Sequence, residues 1–123
     1  MRSSHRVIAV MRITSSQALL DMKAAVGRIG SYAASVNRTN LSMVEDAVER
    51  NLVILYEASK RVSPRLRPRT FWVRLTEIGE RLEFRYDAVT SAEVWAIVEQ
   101  DLPVFTPVID DLIAKVKRDQ KNG

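Results

Sequence analysis

The chain has 123 residues, a net charge of +4 and no cysteine. That length supports one domain with a buried core, and the lack of cysteine excludes disulfides and thiolate metal sites. Hydrophobic residues at 46% and charged residues at 28% are an ordinary globular balance, which argues against a disordered or fibrous chain.

Residues 1–14 show no helical period and read as an appended arm, with 7–13 as a weak strand candidate. The apolar run Val7-Ile8-Ala9-Val10-Met11 is shorter than the core of a secretory leader, which takes about 7–15 residues and a clean cleavage site. No apolar run approaches the roughly 18 residues of a membrane helix. A cytoplasmic protein without membrane contact is the expectation.

A first helix is expected over residues 16–36, because Leu19, Met22, Val26, Ile29, Ala33 and Val36 recur at spacings of three and four. Gly27 and Gly30 weaken that helix and point to close packing against a neighbour. Asn37-Arg38-Thr39-Asn40 reads as a loop, and Ser42 with Glu45 offers a capping box for a second helix over 42–62. Its inner face carries Val44, Ala47, Val48, Asn51, Leu55, Ala58 and Val62, and Pro64 ends it.

A basic loop over 63–70 leads to a third helix over 71–85 with Trp72, Leu75, Ile78 and Leu82 inward. Thr90 and Glu93 offer a second capping box, opening a helix that Asp101-Leu102-Pro103 breaks or kinks. A last helix carries Phe105, Ile109, Leu112 and Val116 and frays near Lys117. The expected fold is all-α: an antiparallel bundle of about five helices over 15–118, with an arm at 1–14 and a tail at 119–123.

Few residues suggest chemistry on their own. His5, the single histidine, falls in the arm. Glu45-Asp46 and Asp110-Asp111 are adjacent pairs whose side chains diverge around a helix, so neither is a carboxylate dyad. Converging metal ligands, a phosphate loop and a nucleophile elbow are all missing, and neither metal nor cofactor is expected. Lys60, Arg61, Arg65, Arg67, Arg69 and Arg74 lie beside Phe71 and Trp72. That pattern fits single-stranded RNA, through phosphate attraction and stacking, as well as it fits a solvated loop next to core aromatics. Trp72 falls on the apolar stripe and is assigned to the core; Phe71 stays open.

Two segments carry a resemblance. The stretch Ala47-Val48-Glu49-Arg50-Asn51-Leu52-Val53-Ile54, continued by Glu57-Ala58 and Lys60-Arg61, resembles the second-helix signature of the HepT-like toxin family, a branch of the HEPN ribonucleases. Tyr86, then Trp95, Ile97-Val98 and Asp101-Leu102-Pro103 resemble its C-terminal signature, and Trp72 sits where the family opens its third helix. The resemblance covers roughly residues 20–115 and implies a dimeric helical bundle. It also implies a metal-independent ribonuclease toxin and a small nucleotidyltransferase antitoxin as partner. The family's active site is an Arg-x4-His-x-Tyr motif at the end of the third helix, in a cleft between protomers, and the partner can modify its tyrosine with AMP.

Carried over by position, the tyrosine is Tyr86, the histidine is Phe84 and the arginine is Gly79. Phe84 moves no proton and Gly79 carries no charge, so a loss of about 10²–10⁴ in rate is expected from the missing acid or base alone. The motif positions Gly79, Phe84 and Tyr86 therefore read as a degenerate site, with Tyr86 as the implied modification position. Arg65, Arg67, Arg69, Arg81 and Arg85 are the RNA-contact candidates. The alternative is a non-catalytic helical adaptor that dimerises and binds a nucleotidyltransferase.

Overall fold

A computed structural model describes residues 2–122, without the side chains of 2–5, 8, 9, 11, 12 and 122. The described residues form five α-helices: α1 (Arg2–Ala34), α2 (Leu41–Ser59), α3 (Arg69–Phe84), α4 (Ser91–Ala96) and α5 (Leu102–Asn122). No strand occurs among the described residues.

Three contacts fix the direction of α1 against α2 and the turn that follows it. The Ser63 N–H donates to Ser15 Oγ at 2.9 Å, Arg61 pairs with Asp21 at 2.8 Å, and Arg28 Nε donates to Asn51 Oδ1 at 2.7 Å. Position falls on one side as it rises on the other, so the two helices run antiparallel. The same logic holds for α3 against the α4–α5 arm, where Arg74 meets Asp101 and Arg81 meets Glu93. Lys23 to Asp110, at 2.9 Å, ties α1 to α5. The core between them is built from Leu19, Met22, Ile29, Val48, Leu52, Leu55, Leu75, Val94, Phe105 and Ile109. These are the positions that helical spacing places on one stripe of each helix.

Four local expectations are corrected. The segment 1–14, read as an arm with a weak strand, is helical from Arg2 onward. No proline or glycine interrupts it before Gly27, so the helix that packs from Ser15 extends backward through it. Val7, Val10 and Ile13 stay exposed there. Gly27 and Gly30 are not close-packing sites, because a Cβ at either would meet nothing within 4 Å. Ser42 is not the cap of α2: Asn40 precedes the helix without a side-chain cap. Asn40 Oδ1 accepts from the Asn37 N–H instead, while Glu45 is drawn to α4 by the Trp95 indole N–H at 2.8 Å and by the Ser91 hydroxyl. Finally, α5 does not fray near Lys117 but continues to Asn122.

The Thr90 cap forms as expected, its Oγ1 accepting from the Glu93 N–H at 3.2 Å. Asp101-Leu102-Pro103 does not break the chain direction. A π-helical turn over Ile97–Asp101 leads directly into α5, with the Leu102 N–H reaching back to the Ile97 carbonyl. Pro103 explains the widening: it has no N–H to offer, and its ring would crowd the carbonyl four residues back.

Candidate functional site

The three motif positions lie on or just past the C-terminal half of α3. Gly79 is buried against α2. A Cβ added there would sit 2.0 Å from Tyr56 Cγ and 2.3 and 2.5 Å from the two Cδ atoms. The tyrosine ring therefore lies flat on the backbone of α3, with the Lys60 ammonium 4.4 Å from its centroid. Glycine is required here by that close approach, and the volume a side chain at 79 would take belongs to Tyr56. Phe84 and Tyr86 are each 73% exposed, Phe84 ending α3 and Tyr86 opening a short 3-10 turn over Tyr86–Ala88. Among the described residues, no histidine lies in these elements; the His5 side chain is outside the description.

The field at this end of α3 is mixed in sign. The Glu57 and Glu83 carboxyls meet across α2 and α3. Hydrogen bonding to Glu57, some burial and Coulombic repulsion push Glu83 above the usual carboxylate range, while bonds with Glu83 and Lys60 draw Glu57 below it. Arg81 donates through Nε and Nη2 to the two oxygens of Glu93, at 2.6 and 2.8 Å. That bond holds Glu93 below its ordinary range and Arg81 above its own. Beneath the pair runs a groove of about 300 Å³ between α3 and α4, floored by Ile78, Leu82, Val89 and Ile97. Arg85 is exposed beside it in sequence, and no ion pair forms on it among the described residues.

The basic loop lies at the other end. Arg69 opens α3, and the 16 residues of that helix separate it from Arg85 by about 24 Å. The five candidate arginines thus form two groups and not one patch. Arg67 is structural: Nε donates to the Val62 carbonyl at 2.9 Å, Nη2 to the Lys60 carbonyl at 3.1 Å, and the guanidinium lies 5.8 Å from the Trp72 ring centroid. It satisfies carbonyls just past the end of α2, where a cation is favoured. Arg65 and Arg69 are exposed. Phe71, left open by the sequence, is buried edge-to-face against Trp72 and Phe105, so neither aromatic presents a stacking face to a base. Arg74 is committed to Asp101 at 2.9 and 3.0 Å.

Two features were missed from the sequence. The Tyr56–Gly79 contact has a faint signal, a large residue and a glycine at facing positions of neighbouring helices. The Arg81–Glu93 pair has none, because Glu93 already had a role in the Thr90 capping box. No group of three or more metal-binding side chains occurs among the described residues, and no described helix is long and apolar enough to cross a membrane.

A helical bundle with two antiparallel long helices and a Gly-x4-Phe-x-Tyr segment closing α3 is the class these elements define. The family model described as Ribonuclease HepT-like matches residues 22–112, and the chain belongs to that family. No solved structure matches the chain.

Proposed function

We propose that this chain is the toxin-side component of a toxin–antitoxin pair, with nuclease activity reduced or lost and with dimerisation and RNA or partner binding kept. The observation that carries the reading is Gly79 beneath Tyr56. The position where the family has its arginine is filled by another residue's ring, and Phe84 stands where a proton-transferring histidine would be. Metal-free RNA cleavage needs both positive charge at the phosphate and a proton carrier, and neither is present at these positions.

The partner in this reading is a small nucleotidyltransferase antitoxin, Tyr86 is the position open to modification, and the setting is the cytoplasm. The 73% exposure of Phe84 and of Tyr86 supports a protein surface at the end of α3, for a second copy or for that partner. Among the RNA candidates, exposed Arg65, Arg69 and Arg85 remain available for phosphate, whereas Arg67 is spent on carbonyls. A pure adaptor without an RNA role is the second reading, favoured by the same exposed aromatics.

The test is incubation of the purified chain with end-labelled RNA in chelator, alongside a binding titration at several salt concentrations. Little or no cleavage with salt-dependent binding is expected. Fast metal-free cleavage would overturn the loss of activity, and salt-insensitive or absent RNA binding would favour the adaptor.

A further inference from the structure

Glu93 occupies the edge of Arg81 that a phosphate would use. The side-on, two-bond geometry through Nε and Nη2 is the way a guanidinium grips any planar or tetrahedral oxyanion. Both partners are surface groups, with side chains 45% and 37% exposed, and exposed ion pairs hold together weakly. A competing anion can therefore displace the carboxylate at little cost.

The surroundings favour exchange at this arginine and not at its neighbour. Arg74, at the far end of the same groove, holds Asp101, which is only 18% exposed. Glu93 also has somewhere to go. It is the third residue of α4 and closes the Thr90 capping box, so its carboxylate can turn back to the Thr90 N–H, the reciprocal bond of that motif, while its own N–H stays on Thr90 Oγ1. The groove it would uncover, about 300 Å³ with an apolar floor, is at the small end of ligand clefts and has room for about one nucleoside.

We propose that Arg81 is a phosphate-binding residue masked by Glu93, opening onto a groove that takes the nucleoside attached to that phosphate. The phosphate belongs to an RNA chain or to a free mononucleotide. The proposal deepens the RNA-binding reading given above and rests on it for the first source only.

The experiment uses the full chain and four proteins: wild type, Glu93→Gln, Arg81→Gln/Glu93→Gln and Glu99→Gln. Glu93→Gln keeps the backbone cap and the side-chain volume. Glu99→Gln makes the same change in net charge outside the groove lining. Labelled single-stranded RNA is titrated by anisotropy and uridine monophosphate by calorimetry, with circular dichroism confirming equal helix content. Glu93→Gln is expected to tighten binding by up to about fivefold, the upper end of what an exposed ion pair is worth. The double variant should lose that gain, and Glu99→Gln should stay within about twofold of wild type on the small scale of a surface charge change. A gain for both ligands, or for one alone, identifies the source of the phosphate. Equal tightening by Glu99→Gln, or a gain that survives Arg81→Gln, overturns the mask. So does unchanged affinity in Glu93→Gln while the wild type binds RNA, and that result leaves the RNA reading standing. Uridine monophosphate bound by Glu93→Gln with no RNA bound by any protein would sink the RNA reading and keep the mask. No binding by any protein sinks both.

Discussion

Replacing Gly79 by alanine adds one methyl group where Tyr56 already lies. The new Cβ would be 2.0 Å from Tyr56 Cγ, against the 3.4–4 Å of an ordinary contact, so ring and helix must part by about 1.4 Å or more. The clash is at the root of the ring and not at a free end, so a small rotation does not relieve it. Overpacking of this kind costs about 1–3 kcal/mol. Expelling the ring from its site instead forfeits much of the roughly 1.5–3 kcal/mol of a buried large side chain. Alanine returns about 1 kcal/mol through helix propensity. A net loss of up to about 2 kcal/mol is expected, on the order of 4 °C in Tm per kcal/mol for a chain this size. Gly27 and Gly30 supply the internal control, since a Cβ at either meets nothing within 4 Å. Gly27→Ala and Gly30→Ala should each stabilise, by about 0.5–1 kcal/mol. Urea unfolding of the three variants is the assay. If Gly79→Ala stabilises as much as Gly27→Ala does, Tyr56 does not rest on α3 and the account of the motif fails.

Arg67→Ala should cost roughly 1–3 kcal/mol, because it strips two carbonyls past the end of α2 of a charged donor and removes the cation over Trp72. Arg67→Lys should recover little of that in urea melts, since it lacks the fork, and RNA affinity should follow Arg65 and Arg69 instead. Glu93 is held below its ordinary carboxylate range by Arg81, so its contribution is present above that range and lost as pH falls through the lowered value. The Tm advantage of wild type over Glu93→Gln should therefore shrink below roughly pH 4. Glu83, raised by its bond with Glu57, has the opposite sign. Glu83→Gln should increase Tm at neutral pH and give no gain in acid, and a loss at neutral pH would show that the two carboxyls do not repel.

The helices and their inward faces could be read from spacing because burial on one stripe imposes a period that any apolar set obeys. Leu75, Ile78 and Leu82 were placed that way, and so was Trp72. The Thr90 cap was legible because its chemistry is local. What spacing could not give was any choice between partners. Ser42 and Glu45 spell a capping box as well as Thr90 and Glu93 do, yet Glu45 is taken by Trp95, fifty residues away. Arg67 and Arg65 look alike in the sequence, but only one reaches the free carbonyls past α2. Segment 1–14 was misjudged for the reverse reason: it has no single apolar stripe, and its helix continues a neighbour's hydrogen bonding without a pattern of its own. Gly79 was visible as a departure from the motif the resemblance implies, but its close approach to a ring was not, since that depends on Tyr56, 23 positions upstream.

That dependence changes what restoring the motif requires. Arginine and histidine placed at 79 and 84 would reinstate the charge and the proton carrier, but an arginine at 79 starts from the same Cβ that collides with Tyr56. The double variant Gly79→Arg/Phe84→His should be destabilised and cut RNA weakly, if at all. Adding Tyr56→Ala removes the obstructing ring and opens the volume that the arginine stem needs. It sacrifices about 3–5 kcal/mol of aromatic burial, part of which the arginine's own methylenes recover along the same surface. Cleavage in chelator is expected from the triple variant at low temperature, and not from Tyr56→Ala alone. If the double variant cuts as well as the triple while keeping wild-type stability, Tyr56 never held the arginine's place. If the triple folds and fails to cut, then cleavage needs more than the changes at 56, 79 and 84.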